Sequence, residues 1–418
     1  MVHQDVHLPS RDADEPAPLR LLWRHPRGLI GLSVVNMIYR IVTLGLYHFW
    51  AKTEVRKRIW SSIRFNDEPL TYTGRGLELF LGFLIVFGLI FLPVILILTG
   101  LILYFGPNSL IPNIAIVVLY VAFGWLAGLA VYRAQRYRLS RTRWRGIRGS
   151  MQGSGSAYAW THFLTALLIP LTFGWLIPWR TTKLQSMITN NMHLGNRPFR
   201  FEATSGPLYG PFAMLWFGSI VLYLALLGVL WLHFFPKYTA AREAGLPFIP
   251  SPTDIGVVVL SFVVAGFVFA LFSSWYRART INHFAAHTFF EQARFRGRLT
   301  AGGLIWLSLS NFMILLVGAV AFLAIIAAAT LPFIDIDYQN LRLPEGRAAT
   351  QIFASIVPLA LLIGFTLLAP IVQVRSVGYI VRNLSIEGTV SLAAIEQSAA
   401  EDIRYGEGLA EAFDIDAI

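Results

Sequence analysis

The sequence predicts an all-α polytopic membrane protein with six spanning helices and two further apolar segments that re-enter or lie in the interface. Five repeated units of a basic helix and a β-hairpin join these segments, and eight true spans are the alternative. Three observations lead there. Hydrophobic residues make up 56% of the chain and charged residues only 14%, with a mean hydropathy of +0.59, which is outside the soluble range. The apolar residues come in blocks, near 29–50, 77–105, 112–132, 157–178, 208–235, 255–275, 301–331 and 352–374, each at least as long as the roughly 20 residues that cross a bilayer. Finally, the stretch Tyr47 to Gly82 returns in recognisable form four more times, and self-similarity of this kind outranks any single motif as an architectural signal.

Residues 1–28 form a polar, Pro-containing tail without the basic start and short apolar core of a cleaved signal peptide. A first membrane half occupies 29–156. In its first unit Val55, Ile59 and Ile63 share one helical face, leaving Lys52, Arg56, Lys57 and Arg58 to the others. Two short strands follow, Ile63 to Phe65 and Leu70 to Tyr72, with Asn66, Asp67, Glu68 and Pro69 as the turn. Gly74 and Gly76 then break the pattern before the next apolar block. The second unit, Tyr132 to Tyr158, is the most basic. A second half covers 157–300, with the third unit at Trp179 to Tyr209 and the fourth from Trp275. The third has Leu184, Met187 and Ile188 as its stripe and Gly195-Asn196 as its turn. The span 301–390 holds the last helix pair and the fifth unit, from Pro370. An acidic tail at 391–418 closes the chain with Glu396, Glu401, Asp402, Glu407, Glu411, Asp414 and Asp416.

The segments at 29–50 and 157–178 are equivalents, because Thr43-Leu44-Gly45 ending at Trp50 aligns with Thr172-Phe173-Gly174 ending at Trp179. This equivalence decides the expected topology. If all eight segments span, the basic residues divide almost evenly between the two sides. If the two equivalents enter and leave on one face, the two tails and the five units hold 29 of the 34 Lys and Arg, the other loops hold 4, and Arg40 is the remaining one. That asymmetry is what the positive-inside rule expects, with both termini cytoplasmic. Gly45, Pro170, Gly174 and Pro178 supply the breaks.

The stretch LGLYHFWAKTEVRKRIW, followed by EPLTYTGRGLELFLGFLI, resembles the YjgN-like family of bacterial inner-membrane proteins, a domain of unknown function. Thr43, Leu44, Gly45 and Tyr47 match the start of the family pattern, Trp50, Ala51 and Lys52 its middle, and Thr73, Gly74, Gly76, Glu78, Leu79 and Phe80 its end. Later copies are degenerate: Lys183 stands four residues after Trp179, where Lys52 stands two after Trp50. The C-terminal LSIEGTVSLAAIEQ is similar to the family's ending. The resemblance implies a bacterial inner-membrane location and carries no activity with it.

Few residues could carry chemistry. Arg40 lies inside an apolar segment, where a guanidinium costs from about 3 to over 10 kcal/mol, so Asn36, Tyr39 and Arg40 are candidates for an anion or head-group site. A snorkelling Arg40 is the alternative. Lys52, Arg56 and Lys183 on the basic helices are further head-group candidates. Gly74, Arg75 and Gly76 could cradle a phosphate at a helix start, although glycine also simply permits a sharp turn. His283, His287 and Glu291 are spaced four apart, but without Cys, Asp or an H-E-x-x-H frame they are interfacial residues rather than a metal site. With no cysteine, no Walker sequence, no dinucleotide fingerprint and no nucleophile constellation, neither an enzyme nor a cofactor is expected.

The net charge of +11 sits beside membrane segments, so the expected partner is anionic lipid and not nucleic acid. Trp50, Trp60, Trp144, Trp179 and Trp275 accompany the basic helices, as in helices lying among head groups. Two functions follow as expectations. One is a transporter or permeation protein for a small anionic or amphiphilic molecule, since internal repeats and broken helices build such sites. The other is a non-catalytic membrane organiser that binds anionic lipid or a partner protein through its basic layer, with a homo-oligomer compatible with either. Sparse ionisable residues near 77–105, 208–235, 301–331 and 352–374 count against an ion relay.

Overall fold

The structure, a computed structural model, describes residues 17–330 and 347–397. The tail up to residue 16 and the acidic residues Glu401, Asp402, Glu407, Glu411, Asp414 and Asp416 lie outside the described residues. The chain opens with strands β1 (Ala17–Pro18) and β2 (Leu21–Trp23), then two helices in a hairpin, α1 (Leu29–Val42) and α2 (His48–Ser62). Strands β3 (Ile63–Phe65), β4 (Glu68–Pro69) and β5 (Thr71–Tyr72) lead into α3 (Gly76–Val86), a π turn at Phe87–Phe91 ahead of Pro93, α4 (Leu92–Phe105) and α5 (Leu110–Ser140). Next come β6 (Thr142–Trp144), β7 (Ile147–Met151), the second helical hairpin α6 (Gly155–Leu171) and α7 (Ile177–Thr189), β8 (Met192–Leu194) and β9 (Arg197–Phe201). The long pair α8 (Gly206–Glu243) and α9 (Pro252–Ala286) precedes β10 (Thr288–Phe290), β11 (Ala293–Gly297), α10 (Ala301–Thr330), α11 (Arg347–Arg382), β12 (Leu384–Glu387) and β13 (Thr389–Val390).

Six helices among the described residues are long and apolar enough to cross a membrane: Gly76–Phe105, Leu110–Ser140, Gly206–Glu243, Pro252–Ala286, Ala301–Ile325 and Gly364–Arg382. Helices α1 and α6 are not among them. At 1.5 Å per residue they reach about 21 and 25 Å, short of the roughly 30 Å hydrocarbon core. Each ends at a threonine that bonds back: the Thr43 hydroxyl donates to the Tyr39 carbonyl and accepts from the Tyr47 amide, while the Thr172 hydroxyl donates to the Leu168 carbonyl and accepts from the Leu176 amide. The next two residues take left-handed backbone, Leu44 (φ 50°) with Gly45 (φ 92°), and Phe173 (φ 48°) with Gly174 (φ 84°). A glycine at the second position tolerates this without a Cβ penalty. The leucine and phenylalanine accept it under strain, with their side chains 95% and 78% exposed at the tips.

The expected all-α class needs correction, because strands of successive units pair with one another. So does the first unit's expected hairpin: Glu68 and Pro69, read as part of the turn, form the strand that returns on Ile63–Phe65, while Thr71 and Tyr72 leave to pair with β6. Eight strands form one antiparallel sheet in the order β12-β11-β10-β9-β8-β7-β6-β5, and β2, β3 and β4 form a second of three strands. An isolated hairpin is marginal in water and leaves edges unpaired, so successive hairpins satisfy each other. β12 also touches β2, and β1 pairs with β13. Both sheets share one apolar core, in which Leu19, Trp144, Phe290, Ala293, Val390 and Ile395 are buried and Phe65, Leu70, Phe199 and Ile386 pack around them. The opposite face is basic. Arg143 stands directly across from Arg148, and Arg200 and Arg294 stack over Phe289 at 5.3 and 5.9 Å.

Candidate anion site between the last two helices

Arg375 belongs to α11, seven residues before its end and therefore about 10 Å along the axis from that end. Its Nε donates to Asn311 Oδ1 at 3.0 Å and its Nη2 to Ser310 Oγ at 2.7 Å, both on α10. The Asn311 amide, 8% exposed, donates in turn to Ser376 Oγ at 3.2 Å, and that hydroxyl donates to the Val372 carbonyl. Each partner that fixes the guanidinium is neutral. Among the described residues no carboxylate pairs with it. A cation at this depth needs either protein dipoles or a counter-charge, and this one has the dipoles that orient it without the charge that neutralises it. The remaining N–H groups can present the planar, two-pronged donor face that suits a carboxylate or phosphate.

The sequence-predicted residues on α1 divide. Ser33 and Asn36 are 1% and 4% exposed, and neither the hydroxyl nor either amide atom has a hydrogen-bond partner among the described residues. Arg40 follows Asn36 by one helical turn on the same face. Tyr39 points elsewhere, half exposed, with its ring 4.9 Å from that of Tyr47. The second hairpin fills the matching space. Counting from the two aligned threonines, His162 and Thr165 correspond to Ser33 and Asn36, and there Arg180 donates from Nε to Thr165 Oγ1 at 3.1 Å and from Nη2 to the His162 carbonyl at 3.5 Å. The residue corresponding to Arg180 in the first hairpin is Ala51, fully buried.

The other candidates are dispersed. Arg56, 8% exposed, donates to the Tyr72 hydroxyl at 3.2 Å and lies over the Trp60 and Tyr72 rings at 5.8 and 5.4 Å, so it ties α2 to β5. Lys52 is half-buried on α2, whereas Lys183 is exposed on α7. Gly76 is a close-approach position, since a Cβ there would lie 2.7 Å from Trp50 Cα. At Gly74 a Cβ would meet the Tyr72 ring at 2.6 Å. Arg75 between them is exposed. His283 bonds the Thr204 carbonyl through Nε2, His287 the His283 carbonyl through Nδ1, and Glu291 is held by Arg197 at 3.2 Å and by the Ser391 amide, so the three side chains turn to separate partners. Arg375 escaped the sequence reading because it lies among the basic residues of the fifth unit. The signal was present in Ser308, Ser310 and Asn311, a polar cluster inside an apolar block.

A curated relative, the inner membrane protein YjgN of Salmonella typhimurium (strain LT2), is 26% identical over 141 residues, which is 33% of this chain and 32% of that protein. The match thus covers about a third of the relative's length. No solved structure matches the chain. The profile of the family described as "Bacterial protein of unknown function (DUF898)" matches residues 25–412, from just ahead of α1 into the C-terminal tail, and the chain belongs to that family.

Proposed function

We propose that this integral membrane protein resides in the bacterial inner membrane and carries an anionic amphiphile, engaging the head group through Arg375 while the tails stay in lipid. The oriented, uncompensated guanidinium of Arg375 carries this reading. The sparse burial of the spans narrows the ligand to an amphiphile. The most apolar stretches of Gly206–Glu243 and Pro252–Ala286 have no buried residue, and those of Gly76–Phe105 and Leu110–Ser140 are 6% and 11% buried. Helices that face lipid, or a second copy, on most of their surface enclose little room for a water-filled path, and a molecule with its own hydrocarbon tail requires none. The chain acts here as a carrier and not as an enzyme.

The proposed topology places both termini and all five hairpins in the cytoplasm, with α1 and α6 entering and leaving the membrane on that side. Hairpins that share one sheet support a common side, and exposed Leu44 and Phe173 at the strained tips support insertion into hydrocarbon. The basic outer face of the sheet, where Arg143 opposes Arg148, supports a second reading as an organiser that gathers anionic lipid.

The test is transfer of fluorescent phosphatidylglycerol between leaflets in proteoliposomes, followed by quenching of the outer leaflet. Wild type should exceed protein-free vesicles, and Arg375→Gln should slow the initial rate about tenfold or more, since a hydrogen bond to a charged group contributes roughly 1.5–3 kcal/mol. An unchanged rate in the variant removes Arg375 from the mechanism. No transfer by wild type, with phosphatidylglycerol still enriched around it, leaves the organiser.

A further inference from the structure

A cleft of about 610 Å³ opens where the start of α8, the end of α9 and the start of α10 meet, a volume in the range of ligand sites. Pro207, Leu208 and Pro211 form its apolar wall, and Trp275, Arg279 and His283 its polar side. The Arg279 guanidinium lies 5.7 Å over the Trp275 ring and has no hydrogen-bond partner among the described residues. Its surroundings are rigid: Asn282 both donates to the Leu299 carbonyl at 2.8 Å and accepts from the Leu299 amide at 2.9 Å, clamping the entry to α10 against α9. The connections leading to α3 and α8 each carry a helical hairpin, whereas α9 passes to α10 through β10 and β11 alone.

We propose that this cleft is the surface station for the phosphate of an anionic phospholipid, with Arg279 on the phosphate, Trp275 at the level of the glycerol, and the tails against the lipid-facing sides of α8 and α9. Trp at a membrane interface and an Arg stacked on it provide an amphipathic boundary of this kind. The station leads to the inner site once the contact of Tyr379 with Gly303 parts, an extension that rests on the function proposed above. Ser310 lies nine residues along α10 from Ala301, about 14 Å deeper. Tyr379 stands between the two levels, one turn from Arg375 on α11 and packed so closely beneath Gly303 that a Cβ there would strike its hydroxyl. The head group thus passes from Arg279 at the surface, past Tyr379, to Arg375.

The experiment titrates purified full-length protein with dihexanoyl phosphatidylglycerol, dihexanoyl phosphatidylcholine and free glycerol 3-phosphate. Wild type should bind the phosphatidylglycerol most tightly. Arg279→Gln should raise its Kd roughly tenfold, the loss of one charge-assisted contact, and should raise the phosphatidylcholine Kd by less, because the choline cation of that lipid already offsets its phosphate charge. Equal affinity for free glycerol 3-phosphate would overturn the lipid assignment, and an unchanged Kd in the variant would overturn the site. Should the variant fail to fold, photolabelling of wild type with phosphatidylglycerol bearing a tail diazirine decides instead. Label within residues 207–211 and 275–283 supports the station, and label elsewhere alone refutes it. Arg375→Gln separates the two readings, because loss of transfer with this Kd retained supports both, whereas retained transfer with an Arg279-dependent Kd leaves the station and removes the inner site.

Discussion

Replacing Asn36 by leucine should stabilise the protein. The amide is 4% exposed and neither its oxygen nor its nitrogen has a partner among the described residues, while the adjoining cluster of Leu29, Val55, Ile59 and Val374, with Ile371 beside it, is apolar. A buried polar group without a hydrogen bond costs about 1–3 kcal/mol, and leucine branches at Cγ as asparagine does, so the substitution recovers that cost less the strain of fitting two bulkier methyl groups. At roughly 2.1 cal/mol/K per residue, cooperative unfolding of the chain carries an entropy near 0.9 kcal/mol/K, so the gain corresponds to about 1–3 °C in Tm. The measurement is a thermal-shift series in one detergent without added lipid, with Asn36→Ala as the control that removes the amide but leaves a cavity. A Tm for Asn36→Leu below wild type by a degree or more refutes the reasoning: the amide then has a partner, such as a retained lipid or a buried water, worth more than its desolvation.

Two further predictions concern other parts of the molecule. Reporter fusions after Arg148, Arg200 and Arg298 should all read cytoplasmic, and a periplasmic signal after Arg200 beside a cytoplasmic one after Arg148 would make α6 a true span. Asp254 closes α8 on α9 by accepting from Lys237 and meeting His233 at 2.8 Å, and caps α9 with Ser251. Asp254→Asn should therefore lower the Tm, because it removes the charge that Lys237 and the Ser251 cap hold, with the lipid Kd unchanged; an unaltered Tm would mean that the clamp contributes nothing.

Local features were legible and long-range ones were not. The paired threonines at 43 and 172, each followed two residues later by glycine, announced that two apolar segments are interrupted alike, and the turns at those positions are built from the same hydrogen bonds. Some hairpins were also readable, as at Gly195-Asn196, because their strands are adjacent in sequence. What the sequence could not convey is that Met151 pairs with Met192, or Glu387 with Arg294, since register between separate hairpins depends on how the helices deliver them. The site followed the same division. Arg40 attracted notice as a charge in an apolar run, whereas Arg375 sat in a basic stretch and gained its meaning only from Asn311, 64 residues away. The exchange of Ala51 for Arg180 became significant only once Thr165 and Asn36 were seen in corresponding places.

The pairing of β1 with β13, and the contact of β2 with β12, bear on how the protein is made. Leu19, next to β1, and Val390, on β13, are buried in the same core although nearly all of the described chain lies between them. At a ribosomal rate of about 5–20 residues per second, the segment from Leu21 to Leu384 takes roughly 20–70 s to emerge. During that interval the earliest strands have been made while the partners that complete their core have not. A chain truncated anywhere before the fifth hairpin therefore leaves Leu19 without Val390 and β1 with an unpaired edge, the kind of exposed apolar surface that chaperones and proteases recognise. Completion of β13 is therefore the step that closes this core against Leu19, long after the strands on its other side have been made.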